Sequence, residues 1–362
     1  MTTITGWYDP APKGGHLRLA AHSYLATPGD ATVRMPGLRR GDHVTLADGR
    51  VTAVNGTPPP SAGLAERPEF AKLGAVHPSR PLGLETARAS TPRTAEIQRV
   101  VDLVCPLGFG QRALIVSPPK AGKTVVLQAL AESVALNHPE AELLLLLIDE
   151  RPEEVSELVD WGRGEVIASS FDLSHERHVA VAEMVFEHAR RQVEVGRDVV
   201  IVLDSLTRLA RSHNTAGKSS RRTLTGGLDA NALAKPKALF GAARSVPDGG
   251  SLTIIATALV ETESRMDDVI FEEFKGTGNA ELRLVRELAD RRIYPAVDVA
   301  ASGTRREELL ADAATVAARQ ALRRSLVGLP PDQAMSGLLT QIRRTATNAD
   351  LLRQFAASTT RL

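Results

Sequence analysis

Four apolar runs mark out the middle of the chain: Ala113–Val116, Leu143–Ile148, Val199–Leu203, and Leu252–Ala258, which is broken only by threonines. Short, nearly continuous apolar runs read as strands buried on both faces, the signature of a parallel sheet. Helical periodicity fills the intervals. Lys123–Leu136 reads as one helix, and Glu176–Val195 as a longer one with Val181, Met184, Val185, His188 and Gln192 on its inner face. The pattern predicts an α/β fold with sites at the carboxyl ends of its strands. Residues 1 to about 85 have a different texture, rich in glycine and proline with no helical period. Gly15–Leu19, Ala31–Arg34, His43–Leu46 and Arg50–Val54 read as short strands, with a hairpin-type turn at Asp48-Gly49. The expected organisation is a small β-barrel over 1–60, an irregular proline-rich linker over 61–94, and the α/β domain with C-terminal helices over 95–362.

Composition narrows the class. The chain has 362 residues, 43% hydrophobic and 24% charged, with a net charge of +1. No whole-chain field therefore draws it to nucleic acid. Charge is unevenly placed, however: Ser205–Ser245 holds eight Lys/Arg and one acid, Asp229. Such a stretch suggests a polyanion contact, or simply a solvated face. A single cysteine, Cys105, excludes an internal disulfide framework and a cysteine-rich zinc site. With no signal-like N-terminus and no membrane-length apolar run, a soluble cytoplasmic protein is expected.

The chemistry centres on Ser117-Pro-Pro-Lys-Ala-Gly-Lys-Thr124, between a predicted strand and a predicted helix. That layout fits a phosphate-binding loop: backbone N–H groups face the phosphates, Lys123 reaches the β/γ oxygens, and the Thr124 hydroxyl ligates Mg²⁺. Serine stands where the usual pattern begins with glycine, so a plain turn before an amphipathic helix is the alternative. Two other strands end in acids. Asp204 follows Val199–Leu203, where a carboxylate would hold magnesium. Glu150 follows Leu143–Ile148, where it could deprotonate the attacking water or merely pair with Arg151. Lys120 adds a second cation beside the phosphates.

At this point a family resemblance is plain. Arg112-Ala-Leu-Ile-Val-Ser-Pro-Pro-Lys-Ala-Gly-Lys-Thr124, Leu147-Ile-Asp-Glu-Arg-Pro-Glu-Glu-Val155, Leu203-Asp-Ser-Leu-Thr-Arg-Leu-Ala-Arg211, Leu224–Leu233, Glu272–Asn279 and Ser302–Leu310 resemble the bacterial transcription termination factor Rho family. The resemblance implies a RecA-like, hexameric, Mg²⁺-dependent ATPase that pulls RNA and releases it from RNA polymerase. Carried over by position, it implies nucleotide contacts from Gly108, Phe109, Gly110, Gln111, Arg112 and Ala113. The loop adds Lys120, Ala121, Gly122, Lys123, Thr124 and Val125, with Arg151 and an adenine-stacking Tyr294. Glu150 becomes the catalytic base and Asp204 the second magnesium residue. Arg305, about 180 residues beyond the loop, becomes an arginine finger acting in a neighbouring subunit, helped by Arg292. RNA contacts are implied for Arg222, Thr223, Leu224, Thr225, Gly226 and Gly227, for Arg265 and Lys275, and for Arg18 in the barrel.

The N-terminal region departs from that family. Gly14, His16 and Thr32 stand where it carries aromatic rings that stack on bases, each worth about 1–3 kcal/mol. A truncated OB/cold-shock-like barrel with weak RNA affinity is expected. Two further readings are a Rho paralogue that modulates a full-length Rho ring and a rotary or secretion-type ATPase.

Overall fold

The computed structural model describes residues 3–12, 14–60, 64, 67–217, 227–229 and 231–359. Five antiparallel strands open the chain: β1 (Thr3–Ala11), β2 (Gly14–Arg18), β3 (Thr32–Val33), β4 (His43–Ala47) and β5 (Arg50–Val54), in the order β3-β2-β1-β4-β5. Alternation sends Leu17, Val44 and Leu46 inward, where they meet Tyr8 and Val33. β3 and β5 form the two edges, so the sheet curls into an open half-barrel. β1 was not among the expected strands, because Gly6 and Pro10 interrupt its pattern. The glycine is required: a Cβ there would stand 2.3 Å from the Arg18 carbonyl oxygen on the paired strand.

Five inward side chains are a small core for a sheet of this size, and the sheet completes itself on the second domain. Trp7, on the opposite face of β1 from Tyr8, is 1% exposed. Its ring stacks on Tyr24 at 3.5 Å and on His188 at 4.0 Å. The two ring nitrogens of His188 meet the Gly41 carbonyl oxygen at 2.9 Å and the Glu142 carboxylate at 2.8 Å. The Tyr24 hydroxyl donates to Glu165, and Arg197 donates to the Asn55 carbonyl at 3.0 Å. Gly41 itself leaves no room for a side chain, since a Cβ would lie 2.4 Å from the Glu187 backbone. Trp7→Ala is therefore expected to cost about 3–5 kcal/mol, as for other buried tryptophans. Urea unfolding followed by circular dichroism checks this; a midpoint unchanged from wild type would show that the stack contributes little.

The segment expected as a linker is irregular but not loose. Phe70, Leu82 and Leu84 are buried, and single β-bridges join Val76 to Ser245 and Pro81 to Gly108. Prolines keep it out of regular sheet while its apolar side chains are still buried.

The α/β domain begins with α1 (Pro92–Val104), whose first turn is capped by the Thr91 hydroxyl. There follow β6 (Arg112–Ser117), α2 (Lys123–Asn137), β7 (Glu142–Glu150), α3 (Pro152–Trp161), β8 (Glu165–Ser170), α4 (His175–Glu194) and β9 (Asp198–Asp204). Next come α5 (Leu206–Ala216), α6 (Ala234–Gly241), β10 (Arg244–Ser245), β11 (Ser251–Leu259), α7 (Arg265–Lys275), β12 (Ala280–Arg283), α8 (Arg286–Asp290) and β13 (Gly303–Thr304). Three helices close the chain, α9 (Ala313–Leu326), α10 (Pro331–Arg343) and α11 (Asn348–Thr359). The sheet order is β13-β12-β6-β11-β9-β7-β8, parallel from β12 to β8, with β13 antiparallel on β12 and β10 on β11. All four apolar runs became neighbouring strands at its centre. One face is covered by α1, α2 and the C-terminal helices, the other by α4 to α7. The expected inner face of α4 is fully buried, His188 and Gln192 included.

Candidate active site

β6 ends at Ser117, and the chain turns back through Lys120 (φ 63°) and Gly122 (φ 91°) before Lys123 and Thr124 open α2. Glycine suits the left-handed position at the helix start, which points the free N–H groups of the first turn outward over the strand ends. The Lys123 ammonium lies 3.0 Å from Glu150 Oε1 and also pairs with Asp204 Oδ1. Two strand ends thus deliver two carboxylates to one cation. Register explains their closeness: Leu147 on β7 lies opposite Asp204 on adjacent β9. A bulge does the rest, since pairing with β8 slips between Ile148 and Glu150 where Asp149 takes φ 59°.

Glu150 and Asp204 are each 3% exposed. Burial, then the neighbouring Asp204, pushes the Glu150 carboxyl up to about 7; Lys123 and Arg208 pull the other way. Arg208, on the first turn of α5, approaches Glu150 at 3.5 Å, while the Thr257 hydroxyl of β11 donates to Asp204 at 2.8 Å. Neither residue was among those singled out from the sequence. Arg208 had a signal, standing one helical turn beyond Asp204 in the Leu203–Arg211 motif; Thr257, inside an apolar run, had none. The expected alternative partner of Glu150, Arg151, is instead exposed at the start of α3.

The Tyr294 ring stands beside the loop, 3.7 Å from where a Cβ of Gly122 would be, with the Arg93 guanidinium 4.6 Å from its centroid. Arg292 is exposed two residues earlier. Lys120 and Val125 are exposed at the loop, and Ala121 is buried beneath it.

Other expected nucleotide contacts stand apart from this cluster. Gly108, Phe109, Gly110, Gln111, Arg112 and Ala113 lie at the amino end of β6, roughly 17 Å from Ser117 at the usual strand rise. There they make contacts within the chain. Gln111 donates to Asn279 at 2.7 Å, Arg112 to the carbonyls of Thr277 and Ala243 at 2.9 Å each, and Phe109 meets Arg80 and His138. They do not line their own chain's phosphate loop. Arg305 joins them at that end, where its N–H donates to Asn279 and its charge, with that of Arg244, pulls the Arg112 pKa down after burial.

Among the expected RNA contacts, Arg18 does not present a free cation. Its guanidinium bonds Asp9 at 2.7 Å and Asp30 at 2.5 Å, and a phosphate would have to displace both. Arg222, Thr223, Leu224, Thr225 and Gly226 lie outside the described residues. Gly227 is exposed, with Leu228 buried next to it. Arg265 is exposed at the first turn of α7; Lys275 ends that helix and shares a cavity of about 110 Å³ with Arg305. The basic stretch is largely spoken for among its described members: Arg208 meets Glu150, Arg211 Asp267, Lys235 Glu183 and Lys237 Glu273.

With this geometry in view, the likeness to known proteins is specific. A protein named transcription termination factor Rho in Streptosporangium roseum is 49% identical over 373 residues, covering 99% of this chain and 94% of that protein. The chain belongs to the transcription termination factor Rho family. Proteins of the same name in Gemmatimonas aurantiaca and Streptomyces coelicolor are 55% and 52% identical. This Rho-family chain spans 50% of the first and 83% of the second, so it accounts for about half the length of some relatives and nearly all of others. The model of the ATP synthase alpha/beta family, nucleotide-binding domain, matches residues 98–304. A structure described as a prototypical ATPase from the type III secretion system of pathogenic bacteria superposes with a TM-score of 0.61 over 78% of this chain and 85% of that one. At 21% identity that likeness establishes the RecA-like sheet and nothing finer. Among the described residues, no helix is long and apolar enough to cross a membrane.

Proposed function

We propose that this chain is an ATP-driven RNA translocase and helicase that works as a homohexameric ring and promotes transcription termination by releasing nascent RNA from RNA polymerase. One observation supports the reading: the groups that a hydrolytic site of this kind needs stand at opposite ends of one sheet. Lys123, Glu150 and Asp204 converge at the carboxyl end, while Arg305 stands at the amino end and can act only on a neighbouring copy.

Roles follow from the charges. Lys123 is shared between two carboxylates, and the β/γ-phosphates of ATP would compete for the same ammonium. As Lys123 turns towards phosphate, Glu150 loses a counter-ion and becomes a stronger base for the attacking water. Arg208 and the bulge at Asp149 keep that carboxylate aimed. Tyr294, beside Gly122, offers a ring for the adenine, with Arg292 and Arg151 at the rim. Among the described residues, no cluster of three or more His, Cys, Asp or Glu could hold a metal alone. That suits Mg²⁺, which is held by one or two protein groups plus substrate phosphates. Thr124 and Asp204 would be those groups, and the ion would neutralise charge developing on the phosphoryl oxygens.

RNA would pass Gly227 and Arg265, whose exposed placement supports a contact in the ring's centre. The N-terminal sheet is a weak RNA site on this reading, with Arg18 committed and Gly14, His16 and Thr32 in place of phenylalanine and tyrosine rings. The direct test is magnesium-dependent ATP hydrolysis with and without poly-pyrimidine RNA, together with transcript release from a stalled RNA polymerase. Hydrolysis that RNA leaves unchanged, without release, would overturn the reading.

A further inference from the structure

A cleft of about 380 Å³ opens between α4, α6 and the turn at Phe70, lined by Arg190, Arg191 and Arg244 among small and apolar residues. No carboxylate lines it, whereas each of the other four principal clefts among the described residues carries at least one acid. Its floor is the buried Phe70 ring, with the Arg244 guanidinium 4.5 Å and the Arg190 guanidinium 5.7 Å from the same centroid. Two cations share one aromatic ring.

One guanidinium of the cleft is left without a carboxylate. Glu187 pairs with Arg190 at 2.6 Å, and Glu194 pairs with Arg191 at 2.8 Å and with Arg39 at 3.2 Å. Those two carboxylates answer three of four guanidinium groups. Arg244 has no acidic partner among the described residues, and its hydrogen bond goes to the Ala242 carbonyl at 3.0 Å through Nε. Its pKa is lowered by burial and then by Arg190, as expected of like charges held together. A partly buried cation without a carboxylate, as Arg244 is, is stabilised by an anion, and guanidinium forks match phosphate oxygens in pairs. The cleft is distinct from the phosphate loop: Arg244 pairs with Leu252 at the amino end of β11, whereas the loop follows the carboxyl end of adjacent β6.

We propose that this cleft is a second phosphate-binding site, in which Arg244 holds one phosphate group and the Arg190 and Arg191 guanidinium groups beside it add their positive field. That group comes either from a phosphodiester of single-stranded RNA or from free phosphate. The RNA arm rests on the function proposed above; the free-phosphate arm does not. Both are tested on the full chain with the phosphate loop saturated by a non-hydrolysable ATP analogue, so that the two sites are not confused. Inorganic phosphate should raise the melting temperature of wild type and not of Arg244→Gln, whose amide can still reach the Ala242 carbonyl. If RNA is the source, poly-pyrimidine RNA should bind Arg244→Gln about tenfold or more weakly than wild type, with a salt slope lower by about one. Arg190→Gln carries the same expectations. Should either variant melt early, phenylglyoxal labelling of wild type decides: phosphate or RNA should protect Arg190, Arg191 and Arg244 in the peptide map. Responses identical in wild type and both folded variants, or no protection by either ligand, would overturn the site.

Discussion

Glu150→Gln should lower ATP turnover by a factor of about 10²–10⁴, the usual contribution of a positioned general base. The amide keeps the shape and can still hydrogen bond Lys123, so nucleotide binding should persist, as measured with a fluorescent ATP analogue. A second readout comes from pH. The Glu150 carboxyl titrates near 7 because it is buried beside Asp204. Its basic form is the carboxylate, which is lost as pH falls. For wild type, kcat/KM should therefore rise about tenfold per pH unit below 7 and level off above it. The residual activity of Glu150→Gln should lack that limb. Wild-type turnover in the variant would remove Glu150 from the role of base.

Arg305→Ala should be comparably severe for a different reason. Within one chain Arg305 and Lys123 are kept apart by the length of β6, so truncating the arginine leaves the Lys123–Glu150–Asp204 cluster untouched. ATP affinity should change little, while turnover falls by about 10³–10⁵, as when other arginine fingers are removed. The decisive measurement mixes two inactive proteins. A ring containing both Arg305→Ala and Glu150→Gln subunits has some interfaces with an intact base facing an intact arginine, so activity should reappear on mixing. Persistent silence in rings shown by sedimentation to be mixed would count against action across the interface.

How far the sequence announced all this depends on the physics of each part. Strands buried on both faces have to be apolar throughout, so β6, β7, β9 and β11 were plain, and the acids ending two of them stood out by contrast. The phosphate loop was legible because its chemistry is local, confined to consecutive residues. Through-space facts were not. Nothing in Gln111 and Arg112 says that they would bond Asn279, Thr277 and Ala243, more than 130 positions away. Arg18 resembled an RNA contact until Asp9 and Asp30, distant by 9 and 12 positions, closed on it. Trp7 carried no hint that its partner would be His188 on a helix of the other domain. β1 was hidden by the glycine that lets it approach β2.

The stack of Tyr24, Trp7 and His188 has a consequence for avidity. A sheet bolted to α4 by its rings, and by Arg197 and Gly41, cannot swing on a tether. In a ring of six, the sheets would form a crown whose members keep constant spacing and tilt. On the function proposed above, each would offer a feeble grip on a nucleic acid strand. A short strand meets one such grip and is soon lost, whereas a strand long enough to bridge neighbours converts later contacts into intramolecular ones at high effective concentration. With the geometry set by packing instead of a flexible arm, the length of RNA that engages such a crown would be decided by the subunit-to-subunit distance, and the assembly would measure a bound strand as a ruler does.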